Sequence, residues 1–172
     1  AQKDTAKAEI LQVAEAAKED VVESDELDEL AVGAIKGAID DQAQELCNEI
    51  AGEDTKTIDD IKAVVAKATS DDPTAVGTIA NAKAKAIEEG KSDTADRNEL
   101  KEAKTKAKEE VATAAGTAQA AVDAQEAKMS EDDYKELTGK ITEALKAANT
   151  AIENAAADEI DRSEERRVGK EC

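Results

Sequence analysis

The tightest limit on this chain is how little it has to bury. Of its 69 hydrophobic side chains, 37 are alanine and only 28 are isoleucine, leucine or valine, with no phenylalanine or tryptophan and a single tyrosine, Tyr134. Such scarcity, combined with a net charge of -19 over 172 residues, is the compositional mark of disorder, because little apolar area is available to offset chain entropy. Against this, alanine, glutamate, lysine and glutamine are the best helix formers, and they fill the stretches between turn signals. Alanine also lets helices approach closely, so a slender all-α bundle can form without large side chains.

The periodicity supports helices throughout. Ile10, Val13, Ala17 and Val21 recur at helical spacing and predict a helix over 5–22, stopped by Ser24 and Asp25. A second is expected over 27–51, with Leu27, Leu30, Ile35, Ile39, Leu46 and Ile50 on its apolar side and Gly52 as a C-cap. Thr57 with Asp60 resembles a capping box that opens a short helix carrying Ile58, Ile61, Val64 and Val65. Asp72 followed by Pro73, the only proline, suits an N-cap and first helical position, which predicts a helix over 73–89 ending at Gly90. From 94 to 127 no breaker is stronger than Gly116, so one long helix is expected there. Ser130 with Asp133 predicts a last helix over 131–156, with Tyr134, Leu137, Ile141, Leu145 and Ile152 on its buried side. No stretch alternates like a strand.

Internal similarity adds an architecture. The "AKAEI" of residues 6–10 returns as "AKEEV" at 107–111, and Val21 as Val122, both at an offset of 101. At an offset of 102, Ile35, Ile39, Ile50, Ile58 and Asp59 return as Leu137, Ile141, Ile152, Ile160 and Asp161. The expected organisation is a first helical repeat at 1–66, a diverged helical connection at 67–106 and a second, truncated repeat at 107–161.

Residues 162–172, "RSEERRVGKEC", are basic and Arg-dense, unlike everything before them. They can be encoded by codons that resemble the adapter ligated to DNA in short-read sequencing, so they are read as a non-native tail. Without their four cations and three anions the net charge moves from -19 to -20. With no initiator methionine before Ala1, the chain is read as part of something longer.

Charge and residue types exclude several functions. A strongly acidic field repels nucleic acid and anionic membranes, and the Lys/Arg stripe that phosphate binding needs is missing. No apolar run approaches the roughly 18 residues of a membrane span. There is no histidine, so Cys47, beside Leu46 and Ile50, has no imidazole to activate it and is expected to be a small buried hydrophobe. "GKS" at 90–92 ends like a phosphate-binding loop, but Lys85 stands where the earlier glycine is needed, so it reads as a helix C-cap. The acidic groups Asp25-Glu26-Asp28-Glu29, Asp71-Asp72 and Glu131-Asp132-Asp133 lack the spacing of a calcium loop, and helix N-termini favour acids through the dipole. No catalytic, cofactor-binding or metal-ligating residue is assigned, no cofactor is expected, and the chain is read as not an enzyme.

An Ala/Lys first helix, the loop "KMSEDDYKEL", the helix "ITEALKAANTAIENA" and a closing "ADEID" together resemble the Ala-rich three-helix repeats of large Gram-positive-type cell-surface proteins. The likeness covers 107–161 best and 6–62 more loosely. It implies an elongated stalk of tandem antiparallel three-helix bundles, with the helix at 94–127 bridging modules, on a secreted or cell-surface protein. Its partners would be neighbouring repeats of the same chain and a protein or host ligand. Two other classes stay open: an intracellular acidic protein adapted to high salt, and a desiccation-protective Ala/Lys/Glu-rich protein.

Overall fold

The computed structural model describes the backbone of residues 2–168 and the side chains of residues 2–155. The described residues form five α-helices and no strand: α1 Gln2–Glu19, α2 Glu29–Ala51, α3 Ile58–Ala68, α4 Ile79–Asp123 and α5 Glu131–Val168, with a 3-10 turn at Glu126–Lys128 before α5. Contacts divide the chain into two units, residues 1–97 and 98–172, with α4 running through the division.

In the first unit α1 and α2 form an antiparallel hairpin. Lys18 at the end of α1 pairs with Asp40 at 2.6 Å, and the Cys47 thiol, one arm further on, faces the Lys7 carbonyl at 3.9 Å. The core between them holds Ile10, Ile35, Ile39, Leu46 and Ile50, all essentially without exposure. Each such side chain contributes about 2 kcal/mol on burial, which is how a chain poor in large residues still closes a core. Ala6, Ala14 and Ala43 fill the narrow positions among them. Helix α3 packs on both arms through Val64 and Ala68, and Lys67 reaches Glu49 at 2.7 Å. The beginning of α4 completes the unit, with Ile79 in the core and Ala86 and Ile87 against it.

Several expected boundaries move. α1 ends at Glu19, so Val21 is buried from the loop after it rather than from the helix. Asp28, not residue 27, opens α2, and this turns Leu30 outward, 67 % exposed, while Ala31 is buried in its place. Gly52 does sit at the C-cap of α2, but with φ -57, so the position does not use glycine's left-handed freedom.

No helix starts at Pro73. The Asp72 carboxylate accepts from the Thr74 amide at 2.9 Å, closing a turn, and Gly77 has φ 80, a left-handed conformation that breaks any helical path. Thr78 then caps α4, its Oγ1 accepting from the Asn81 amide at 3.0 Å. Gly90 ends nothing: α4 continues through it for 45 residues in all, replacing the two helices expected over 73–89 and 94–127. α5 likewise runs past the expected end at 156 to Val168. The reading of 162–172 as a foreign tail falls on side chains outside the described residues.

In the second unit the later part of α4 and α5 form another antiparallel hairpin. It is held by Lys108 on Glu153 at 2.8 Å, Gln119 on Thr138 at 3.3 Å, and the Tyr134 hydroxyl on Asp123 at 2.9 Å. None of its described side chains is fully buried.

Candidate functional site

Among the described residues, the Asp28 carboxylate joins a helix cap to an ion pair. The loop before it is pinned by reciprocal Ser24 and Leu27 backbone hydrogen bonds of 2.9 and 3.2 Å, which deliver the carboxylate to the N-terminus of α2. There Oδ1 accepts from the Ala31 amide at 2.9 Å, satisfying one of the helix's free donors. The Arg97 guanidinium grips the same carboxylate through Nε at 2.5 Å and Nη2 at 2.6 Å, and the Asp28 amide donates to the buried Thr94 hydroxyl at 3.2 Å. Arg97 first, with the Ala31 amide adding to it, holds the Asp28 carboxyl below its ordinary range. Lys91 on Glu26 at 2.7 Å and Lys83 on Asp20 at 3.6 Å line the same seam. The first acidic group in the sequence is thus a fastening between α2 and α4.

The other singled-out residues serve local structure. Ser130 accepts from the Asp133 amide at 3.1 Å and donates to its carboxylate at 2.7 Å, a cap on α5. Thr57 and Asp60 form the expected capping box on α3. Gly90 lies inside α4, where a β-carbon would stand 3.2 Å from the Ala31 Cβ and 3.3 Å from the ends of Ile35 and Leu27. "GKS" is therefore neither a phosphate loop nor a helix end, and its glycine stands where α2 leaves little room for a side chain on α4. Cys47 is buried, and burial pushes its thiol up against a smaller opposing pull from Lys7, so it is protonated and a weak nucleophile near neutrality. Among the described residues no three His, Cys, Asp or Glu side chains group as metal ligands, and no helix is long and apolar enough to cross a membrane.

Two surfaces offer apolar area. A groove of about 620 Å³ runs between α1 and α3, lined by Thr5, Ala6, Glu9, Ile61, Lys62 and Val65, with Ile58, expected inside, 53 % exposed at its edge. The second is the inner stripe of the α4/α5 hairpin: Ala107, Val111 and Ala115 on one arm, Tyr134, Ile141, Leu145, Ala148 and Ile152 on the other, all half-buried. Leu137, also expected there, is 40 % exposed. Asn149 lies in this stripe with its Oδ1 shielded and unpaired.

At the offsets found in the sequence, contacts across one hairpin lie near counterparts across the other. Under shifts of 101 on the first arm and 102 on the second, Cys47 over Lys7 becomes Asn149 over Lys108, and Lys18 against Asp40 becomes Gln119 against Thr142. In the second hairpin Lys108 meets Glu153 and Gln119 meets Thr138, each one helical turn from those positions on the same face. The buried Ala6, Ile10, Ala14, Ala43, Leu46 and Ile50 map onto Ala107, Val111, Ala115, Leu145, Ala148 and Ile152. Large and small exchange places between Ala43 and Leu46 on one side and Leu145 and Ala148 on the other, conserving volume. The sequence reading found the outer members of this set but not Ala43 or Ala14, because an alanine among alanines carries no periodic signal. It also missed Asp28 and Arg97 as a pair, since 69 residues separate them. No family model, no curated protein and no solved structure matches this chain.

Proposed function

We propose that this chain is a non-catalytic spacer or stalk segment of an extracellular or cell-surface protein, assembled from a repeated helical hairpin that a third helix completes into a bundle. What supports this reading is that contacts across α4/α5 fall within one helical turn of the positions related to the α1/α2 contacts by the offsets in the sequence. A repeat that recurs in register and differs by compensating exchanges of size is what a spacer requires, because its function resides in the spacing rather than in a motif. The uninterrupted run of α4 from Ile79 to Asp123 supports the proposal that this helix bridges modules. The acid excess favours solubility, and the resemblance to Ala-rich three-helix surface repeats points the same way.

Small-angle scattering of the full chain tests it. A compact 172-residue protein has a radius of gyration of about 16 Å, whereas a rod as long as α4 has about 20 Å. A value at or above the larger figure is expected; the smaller one overturns the spacer reading.

A further inference from the structure

We infer that the Asp72–Pro73 peptide bond, in the turn between α3 and α4, is a self-cleavage site at which the Asp72 carboxylate attacks its own carbonyl carbon. Asp72, Pro73 and Thr74 are all exposed, so water reaches the bond. The Thr74 amide and hydroxyl donate to Asp72 Oδ1 at 2.9 and 2.7 Å. The ring closed by the amide's hydrogen bond includes the Asp72 carbonyl carbon and the Pro73 nitrogen, so the carboxylate is folded back across the bond between them. The carbonyl oxygen accepts from the Ala75 amide at 3.2 Å, and the Thr78 hydroxyl, 2.8 Å from the Ala75 carbonyl, also stands 3.4 Å from it. Donors there favour the negative charge that develops on that oxygen during attack. Beyond the bond, the buried Asn81 donates from Nδ2 to the Pro73 carbonyl at 2.6 Å, and before it the Asp72 amide donates to Ser70 Oγ at 3.3 Å. The bond is thus held from both sides.

Proline decides which reaction follows. Lacking an N–H, the Pro73 nitrogen cannot close on the carboxyl to give a succinimide. Instead a side-chain oxygen of Asp72 bonds to the Asp72 carbonyl carbon and closes a five-membered anhydride, while the C–N bond breaks and the Pro73 nitrogen takes a proton from solvent, leaving as a secondary ammonium. One water then opens the anhydride into the two carboxyls of a C-terminal Asp72. Nothing is oxidised or reduced, and the event happens once per chain. The Thr74 hydroxyl first, with its amide after it, holds the Asp72 carboxyl below its ordinary 3.8; no cation among the described residues pairs with it, and Asp71 is the adjacent acid. It is therefore ionised, as a nucleophile must be, in mildly acidic solution that also supplies the leaving nitrogen's proton. Ile79, Ala86, Ile87 and Arg97 all follow the break, so α4 keeps its hold on the core and on Asp28, and the severed first unit stays assembled.

The test incubates the full chain at about pH 4.5, above the window in which the Asp28 ion pair is lost, beside a synthetic peptide of residues 66–80, and follows both by mass spectrometry. Both Asp72 carboxyls are largely ionised there, so the comparison reads positioning. The expected result is fragments 1–72 and 73–172, formed about tenfold or more faster than the peptide is cut, co-eluting in native buffer and separating in urea. Asp72→Ala should abolish fragmentation, and Thr74→Val should slow it about threefold or more with far-UV circular dichroism unchanged. Pro73→Ala, which restores an N–H, should replace the fragments by loss of one water, the succinimide. A rate in the folded chain no faster than in the peptide overturns the site, because the bond then has only the lability of any Asp–Pro pair. So does cleavage that survives Asp72→Ala, which makes a contaminating protease the agent.

Discussion

Gly90 and Gly116 sit in the same helix with opposite reasons to be glycine. At Gly90 the neighbours leave no room for a side chain, Ala31 being the least able to move because its β-carbon is fixed to the α2 backbone. At Gly116 nothing lies within 4 Å. Gly90→Val is expected to destabilise the first unit by about 1–3 kcal/mol through overpacking. Gly116→Ala is expected to stabilise the second by about 1 kcal/mol through helix propensity alone. Urea midpoints of the two variants measure both, and equal effects would contradict the close approach at Gly90. In sequence the two glycines are indistinguishable. Gly90 looks like a C-cap because a glycine chosen for lacking a side chain resembles one chosen for its backbone freedom, and only residues 27–35, far away in the chain, decide between them. Pro73 misleads for a related reason. Asp72 does bond forward, but to Thr74 in a turn, and the left-handed Gly77 postpones the helix to Ile79.

At the scale of elements, the joint between α2 and α4 is acid-sensitive in a definite direction. Arg97 and the Ala31 amide lower the folded Asp28 carboxyl from an ordinary value of 3.8. Its contribution is therefore complete above about pH 4 and is lost as pH falls through the lower folded value. The lowered Asp60, held by the Thr57 amide and hydroxyl, acts in the same window at the cap of α3. Asp28→Asn keeps an N-cap acceptor but removes the ion pair. It should flatten the fall in urea midpoint between about pH 4 and pH 2, whereas Asp28→Ala should also cost about 1 kcal/mol at pH 7 through the lost cap. A variant that loses stability in acid as steeply as the parent would show that the Arg97 pair carries none of it. The capping boxes at Thr57 and Ser130 were readable because all their parts lie within four residues. The Asp28–Arg97 pair was not, because nothing local to either residue announces the other.

For the whole molecule, the distribution of burial sets an order of stability. The first unit owns every fully buried side chain among the described residues, while the second holds its arms together through a half-buried stripe and three polar contacts. Amide hydrogen exchange should reflect this within the single helix α4. Amides near 86–94, over the core of the first unit, are expected to exchange about tenfold or more slowly than those near 112–120. Uniform protection along α4 would mean that the two units open together. The all-α class followed directly from composition and spacing. The division at residue 97 did not, because a helix that serves two units presents one uninterrupted pattern.

The hydroxyl of Tyr134 bonded to Asp123 has a practical corollary. It is the only aromatic side chain in the protein and it closes the turn of the α4/α5 hairpin, where the neighbouring carboxylate raises its phenol above the ordinary value. Cys47 lies buried in the other unit. Once Cys172 is replaced by serine, tyrosine emission and thiol labelling each watch one half of an otherwise silent molecule. The chain thus carries one reporter in each unit, an emitting phenol and a reactive thiol, and the opening of each unit can be timed separately.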